Sequence, residues 1–178
     1  MKIRWSQLFN FLIMVLLLIV LSAFQSTFWY QLFGTVPSPM LWLCLIVYVA
    51  LYRKLYPAVF TISVMALALT GFTVMPIKML LVCLLLVYLI LYSIRSRVFW
   101  EGPAYYTIMC TLACFSYHVI YFGVSWLLER NPAPLGLLDR FIQVAFTPAF
   151  GLPMYWMLSK IDKFTKDDLS LDSGGFDL

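Results

Sequence analysis

Charged side chains make up only 11% of this 178-residue chain, whereas a soluble domain of that size needs about a quarter to cover its surface. Carboxylates are the scarcest charges, and none lies near the middle of an apolar run. That absence excludes an intramembrane aspartyl peptidase, which needs two carboxylates sharing a proton. It also argues against pumps built on intramembrane acids. Metal-dependent phosphotransfer needs clustered acids for magnesium, but Glu101, Glu129, Asp139, Asp162 and the tail acids are scattered. Histidine occurs once, as His118. Ser116 lies two residues from it and would face another side of a helix, so no nucleophile–base pair forms there. Cysteine is absent from the connectors: Cys44, Cys83, Cys110 and Cys114 all fall in apolar runs. They read as small buried side chains rather than a disulfide framework. No repeat of 20 to 50 residues is visible. The chain is expected to be no enzyme and to carry no cofactor or metal.

What remains is apolar. Hydrophobic residues reach 63% and gather in runs over about 8–24, 40–52, 57–73, 76–93, 104–128 and 141–159. The expected fold is an all-α integral membrane protein with six transmembrane helices. Residues 1–164 would form the membrane domain, and 165–178 a disordered cytoplasmic tail. If the runs are spans, one side collects Lys2, Arg4, Arg53, Lys54, Arg95, Arg97, Lys160, Lys163 and Lys166, and the other only Lys78, Arg130 and Arg140. This asymmetry is the positive-inside signature with both termini in the cytoplasm. The net charge of +4 is no nucleic-acid footprint, because the basic residues pair at run ends instead of lining a face. Contact with anionic headgroups of the bilayer explains them.

The runs differ in detail. The first has flanks resembling a secretory signal peptide, but its length and the bulk of Leu21 and Phe24 favour a retained span. Gln25 to Pro39 reads as an uncharged connector whose Phe28, Trp29, Tyr30 and Phe33 suit the membrane interface and a partner contact. The second run is short for a ~30 Å hydrocarbon core. It must borrow from the aromatic stretch, thin the bilayer or re-enter. Pro57, Pro76 and Pro103 open helices at a turn where the missing amide costs nothing. Pro148 and Pro153 fall inside the sixth run and should kink it. Lys78 is placed to snorkel.

One patterned polar stripe occurs, in the fifth run. Thr107, Thr111, Cys114, His118, Tyr121 and Ser125 recur at helical spacing, with Cys110 adjoining and Leu112 and Val119 on the opposite, lipid-facing side. Interhelical hydrogen bonding is the plainer reading of this inward face, and the lining of a small pocket the sharper one. Cys110 and His118 are two turns apart, about 12 Å, so Cys110, Cys114 and His118 cannot converge on one zinc. His118 is the one side chain in a run's interior whose ordinary pKa lies near neutral pH. In the third run, Ser63, Ala66 and Thr70 make a small-residue row suited to close helix packing or a partner's approach.

Several positions together resemble MreD, the rod shape-determining membrane protein. They are Pro39, Leu43, Tyr48 and Ala50-Leu51, then Met65-Ala66-Leu67 and Gly71, then Tyr88-Leu89, and finally Leu152-Pro153, Leu158 and Asp162. An acidic residue and glycines often seen near the end of the third span in such proteins are replaced here by Gly71-Phe72-Thr73-Val74-Met75-Pro76. The resemblance implies a non-catalytic scaffold of the cell-elongation and peptidoglycan-synthesis complex in the bacterial inner membrane. It implies an MreC-like single-span partner, with links to RodA, penicillin-binding protein 2 and MreB. MreD also looks like the vitamin-binding S components of energy-coupling-factor transporters, which is the alternative. Those dock through small residues in the first helix, whereas Phe11 to Leu21 holds no Ala or Gly.

Overall fold

The computed structural model describes residues 5–98, 102–129 and 136–165. Expectations for Lys2, Arg4, Glu101, Arg130 and the tail from Lys166 onward lie outside these. Among the described residues every regular element is helical: α1 (Trp5–Ala23), a π-helical turn (Phe24–Phe28), α2 (Trp29–Phe33), α3 (Leu41–Tyr52), α4 (Leu55–Leu69), α5 (Ile77–Arg95), α6 (Pro103–Leu128) and α7 (Leu137–Phe164). Four helical segments are long and apolar enough to cross a membrane: Gln7–Phe33, Ile77–Arg95, Pro103–Leu128 and Leu137–Phe164. That arrangement is compatible with a multi-pass membrane protein. Leu41–Tyr52 and Leu55–Leu69 are apolar but shorter.

The sequence placed a connector at Gln25, and here the structure differs. Nothing between Ala23 and Phe33 stops a helix, since the stretch has neither Gly nor Pro. The polar Gln25, Ser26 and Thr27 are absorbed in the π turn, and the helix ends only at Gly34, whose φ of +59° suits a residue without Cβ. The aromatic stretch thus lengthens the first helix and lends nothing to α3. A smaller difference lies at the other end of the chain. The last helix runs past Pro148 and Pro153 to Phe164, beyond the apolar run's end at 159, so Asp162 is helical.

Helix α3 is the axis of the molecule. It is apolar all round and buried from Leu41 through Leu51, as a helix enclosed by protein should be. Around it α1, α4, α5, α6 and α7 form a ring, each touching α3 and its neighbour in that order. At twelve residues α3 is only about 18 Å long, which leaves its terminal amides and carbonyls inside the bundle. Side chains from the ring satisfy them. Thr147 Oγ1 accepts from the Met40 amide at 3.2 Å, and Gln143 donates to the Ser38 carbonyl at 3.2 Å. At the opposite end Arg95 donates to the Arg53 carbonyl at 2.8 Å and the Ala50 carbonyl at 3.3 Å, a charged cap where the helix dipole is negative. Midway, the Tyr106 hydroxyl donates to the Cys44 carbonyl at 2.6 Å.

The ring closes differently between α1 and α7. Those two make no extended backbone contact. They meet at one end through side-chain hydrogen bonds, and at the other the continuation of α1 meets α7 through Trp29 of α2 and Phe150, whose rings lie edge to face at 6.1 Å.

Candidate functional site

The closure of that seam is the most concentrated chemistry in the molecule. Asp162 is 1% exposed and accepts from three other residues. Asn10 Nδ2 reaches its Oδ1 at 2.7 Å, Arg53 reaches the same oxygen at 2.5 Å, and the Tyr48 hydroxyl reaches Oδ2 at 2.7 Å. Arg53 also donates to Asn10 Oδ1 at 2.8 Å, and Asn10 Nδ2 donates to Thr165 Oγ1 at 2.7 Å. Three helix ends, of α1, α3 and α7, are tied by one ion pair and its satellites. Both the oxygen and the nitrogen of the Asn10 amide and both oxygens of Asp162 are engaged, so the knot's polar groups satisfy one another.

Asp162, one of the scattered acids of the sequence, is buried near the end of α7. Arg53, read as a cytoplasmic flank, is likewise half-buried in the knot. A signal existed. Thr147, Gly151, Met154, Leu158, Asp162 and Thr165 fall at steps of four, three, four, four and three, and all are buried. Asn10 continues a stripe through Met14, Leu18 and Ser22 in the same way, again all buried. Asn10 and Asp162 each lie toward one end of a buried, mostly apolar helical face.

The polar stripe on α6 faces inward, and the structure divides it into three parts. Thr107 and Thr111 donate to carbonyls one turn back on their own helix, a local use of hydroxyls that leaves little for a ligand. Cys110 and Cys114 are buried, and Cys114 Sγ lies 3.8 Å from Met40 Sδ, 3.7 Å from Thr147 Oγ1 and 3.8 Å from His118 Nε2. Val119 is on the outer side as expected, but Leu112 is half-buried against the core. Among the described residues no three His, Cys, Asp or Glu side chains gather as metal ligands, and all four cysteines are free and buried.

His118, Tyr121 and Ser125 line a cavity of about 260 Å³ between α6 and α7, with Arg140 on its α7 wall. The Arg140 guanidinium lies over the Tyr121 ring at 5.9 Å, and Tyr121 stacks on Tyr117 at 6.3 Å. Ser125 donates to Glu129 at 2.5 Å. His118 Nδ1 is buried with no hydrogen-bond partner among the described residues.

The two sets of candidate partner contacts are placed differently. Phe28, Tyr30 and Phe33 are exposed, and Trp29 is half-buried with its indole nitrogen donating to the Val36 carbonyl at 3.1 Å. Phe33 packs on Trp29 at 4.4 Å. Ala66, by contrast, is fully enclosed by the protein's own helices. Ser63 and Thr70 are half-buried and donate to carbonyls of α4.

The fold and these sites define an all-helical, membrane-compatible bundle with a self-contained polar knot and a side groove. Compared with family models, curated proteins and solved structures, the chain matches none.

Proposed function

We propose that this protein is a non-catalytic scaffold of the bacterial inner membrane, of the MreD kind. In this reading all six apolar helices pass through the membrane with both termini in the cytoplasm. The short α3 and α4 need not match the bilayer alone, because the ring encloses α3 and shares the boundary with α4. The scaffold holds an MreC-like single-span partner within the machinery that elongates the cell wall, with RodA, penicillin-binding protein 2 and MreB further along.

The observation that carries the reading is the aromatic extension of the first helix. Gln7–Phe33 has 27 residues, about 40 Å as a helix, roughly 10 Å more than the hydrocarbon core. The surplus is the uncharged Phe24–Phe33 segment, with Phe28, Tyr30, Leu32 and Phe33 about half exposed or more. Rigid aromatic rings at a bilayer boundary are efficient contact residues for another helix. The polar knot supports the same view, because its groups are engaged with one another.

A second reading, a small-molecule-binding S component, draws on the cavity beside His118. One experiment weighs both. A photocrosslinking amino acid is placed at Tyr30 or Phe33 in the full chain in its native membrane, and adducts are identified by mass spectrometry. Adducts with a single-span cell-wall protein are expected. Adducts confined to an ATPase-coupled transport partner would sink the scaffold and favour the second reading.

A further inference from the structure

We propose that the groove between α6 and α7 binds an anionic membrane lipid, with its phosphate on Arg140 and His118 and an acyl chain against Phe115, Val119 and Phe141. The charge requirement comes from Arg140. Among the described residues it has no carboxylate in ion-pair range, and its guanidinium meets only Gln143 Oε1 at 3.3 Å and the Tyr121 face. A planar guanidinium with free donors matches phosphate oxygens. His118 supplies the second polar contact, since among the described residues its buried Nδ1 has no protein partner while Nε2 lies beside Cys114.

The shape argues for a lipid over a soluble ligand. Phe115, Val119 and Phe141 are 55%, 56% and 69% exposed, so the groove opens sideways through an apolar wall. At about 260 Å³ it falls below the ~300–1,000 Å³ of sites that enclose a small molecule. It suits a chain lying half in the protein and half in the bilayer. Depth agrees as well. Arg140 sits one turn inside the start of α7 at Leu137, where a head group would be. From Ser125 to Phe115 the α6 wall then descends about 15 Å. Arg140 is thus a cation at the mouth of an apolar channel.

The lipid proposal stands whether or not the scaffold reading does, and its readout involves no protein partner. Full-length protein is reconstituted in phosphatidylcholine vesicles carrying a trace of diazirine-bearing phosphatidylglycerol, photolysed, and mapped by mass spectrometry. A matched phosphatidylcholine probe serves as the reference. The anionic probe should label α6 and α7 about tenfold more than the reference, the factor expected for one charge-assisted contact. Arg140→Gln should remove that preference, Arg140→Lys should keep much of it, and Arg97→Gln should leave it unchanged. Equal labelling by the two probes, or a preference that survives Arg140→Gln, overturns the proposal. Should Arg140→Gln fail to fold, competition on the native protein decides. Displacement by unlabelled phosphatidylglycerol supports the site, whereas equal displacement by phosphatidylcholine, or displacement by inorganic phosphate alone, rejects it.

Discussion

Asp162 shows how much one side chain is asked to do in this bundle. It is the acceptor for Asn10, Tyr48 and Arg53 at once, and its removal would take the buried counter-charge from Arg53 and the acceptor from the Tyr48 hydroxyl. Breaking a buried pair from one side typically costs ~3–5 kcal/mol, while replacing both partners by apolar groups is often close to neutral. Asp162→Ala should therefore destabilise the detergent-solubilised protein by that order, read as a lower unfolding midpoint, and Arg53→Met in the same chain should recover much of the loss. A double variant no better than the single one would show that the lost counter-charge of Arg53 is not the source of the destabilisation. The knot's net contribution to stability is a separate matter. Its clearer use is to fix which ends of α1, α3 and α7 meet, because all five side chains find partners where those ends come together.

At the scale of elements, close approach and capping explain why these helices pack in this order. Gly151 on α7 faces Thr107 on α6: a Cβ there would lie 3.1 Å from Thr107 Oγ1 and 3.3 Å from its Cα. The contact with the Cα means that the backbone itself sets the spacing, and small residues at such crossings let helices in lipid gain dispersion contact. Gly151→Leu should destabilise the bundle by ~1–3 kcal/mol through overpacking, read as a lower thermal midpoint in micelles. Thr107→Ala should relieve only part of it, because the Cα stays in place. An unchanged midpoint in Gly151→Leu would mean that α6 and α7 separate freely. Little of this crossing was legible beforehand. The sequence offers a polar stripe on α6, but which glycine it meets on α7 is a matter of relative rotation that one helix's periodicity does not contain.

For the whole molecule, enclosure is the main property. All four cysteines are buried, two of them on α6, one on α3 and one on α5. The folded protein should resist a membrane-impermeant maleimide from either side and label fully only after denaturation. Labelling of the intact protein would contradict the packed core. The same silence provides a clean background for topology: single cysteines introduced at Lys54 and at Val74 should label from opposite faces of the membrane if α4 crosses it. Labelling of both from one face would make α4 re-entrant.

The sequence by itself determined the class and the rhythm: apolar runs of helical length, charges sorted to their ends, prolines at three starts, and a polar face on α6. Those are local properties, set by 3.6-residue periodicity and by the expense of placing charge in hydrocarbon. Only the tertiary structure decided that a twelve-residue helix could be the axis, since its length matters less once other helices surround it. It alone joined Asn10 to Asp162 and Thr165, more than 150 residues away in the chain. It also turned the aromatic connector into a helix and left Arg140 at the mouth of a groove. Burial of a side chain depends on what the rest of the chain brings to it, and run-end polar residues look alike until that partner is in place.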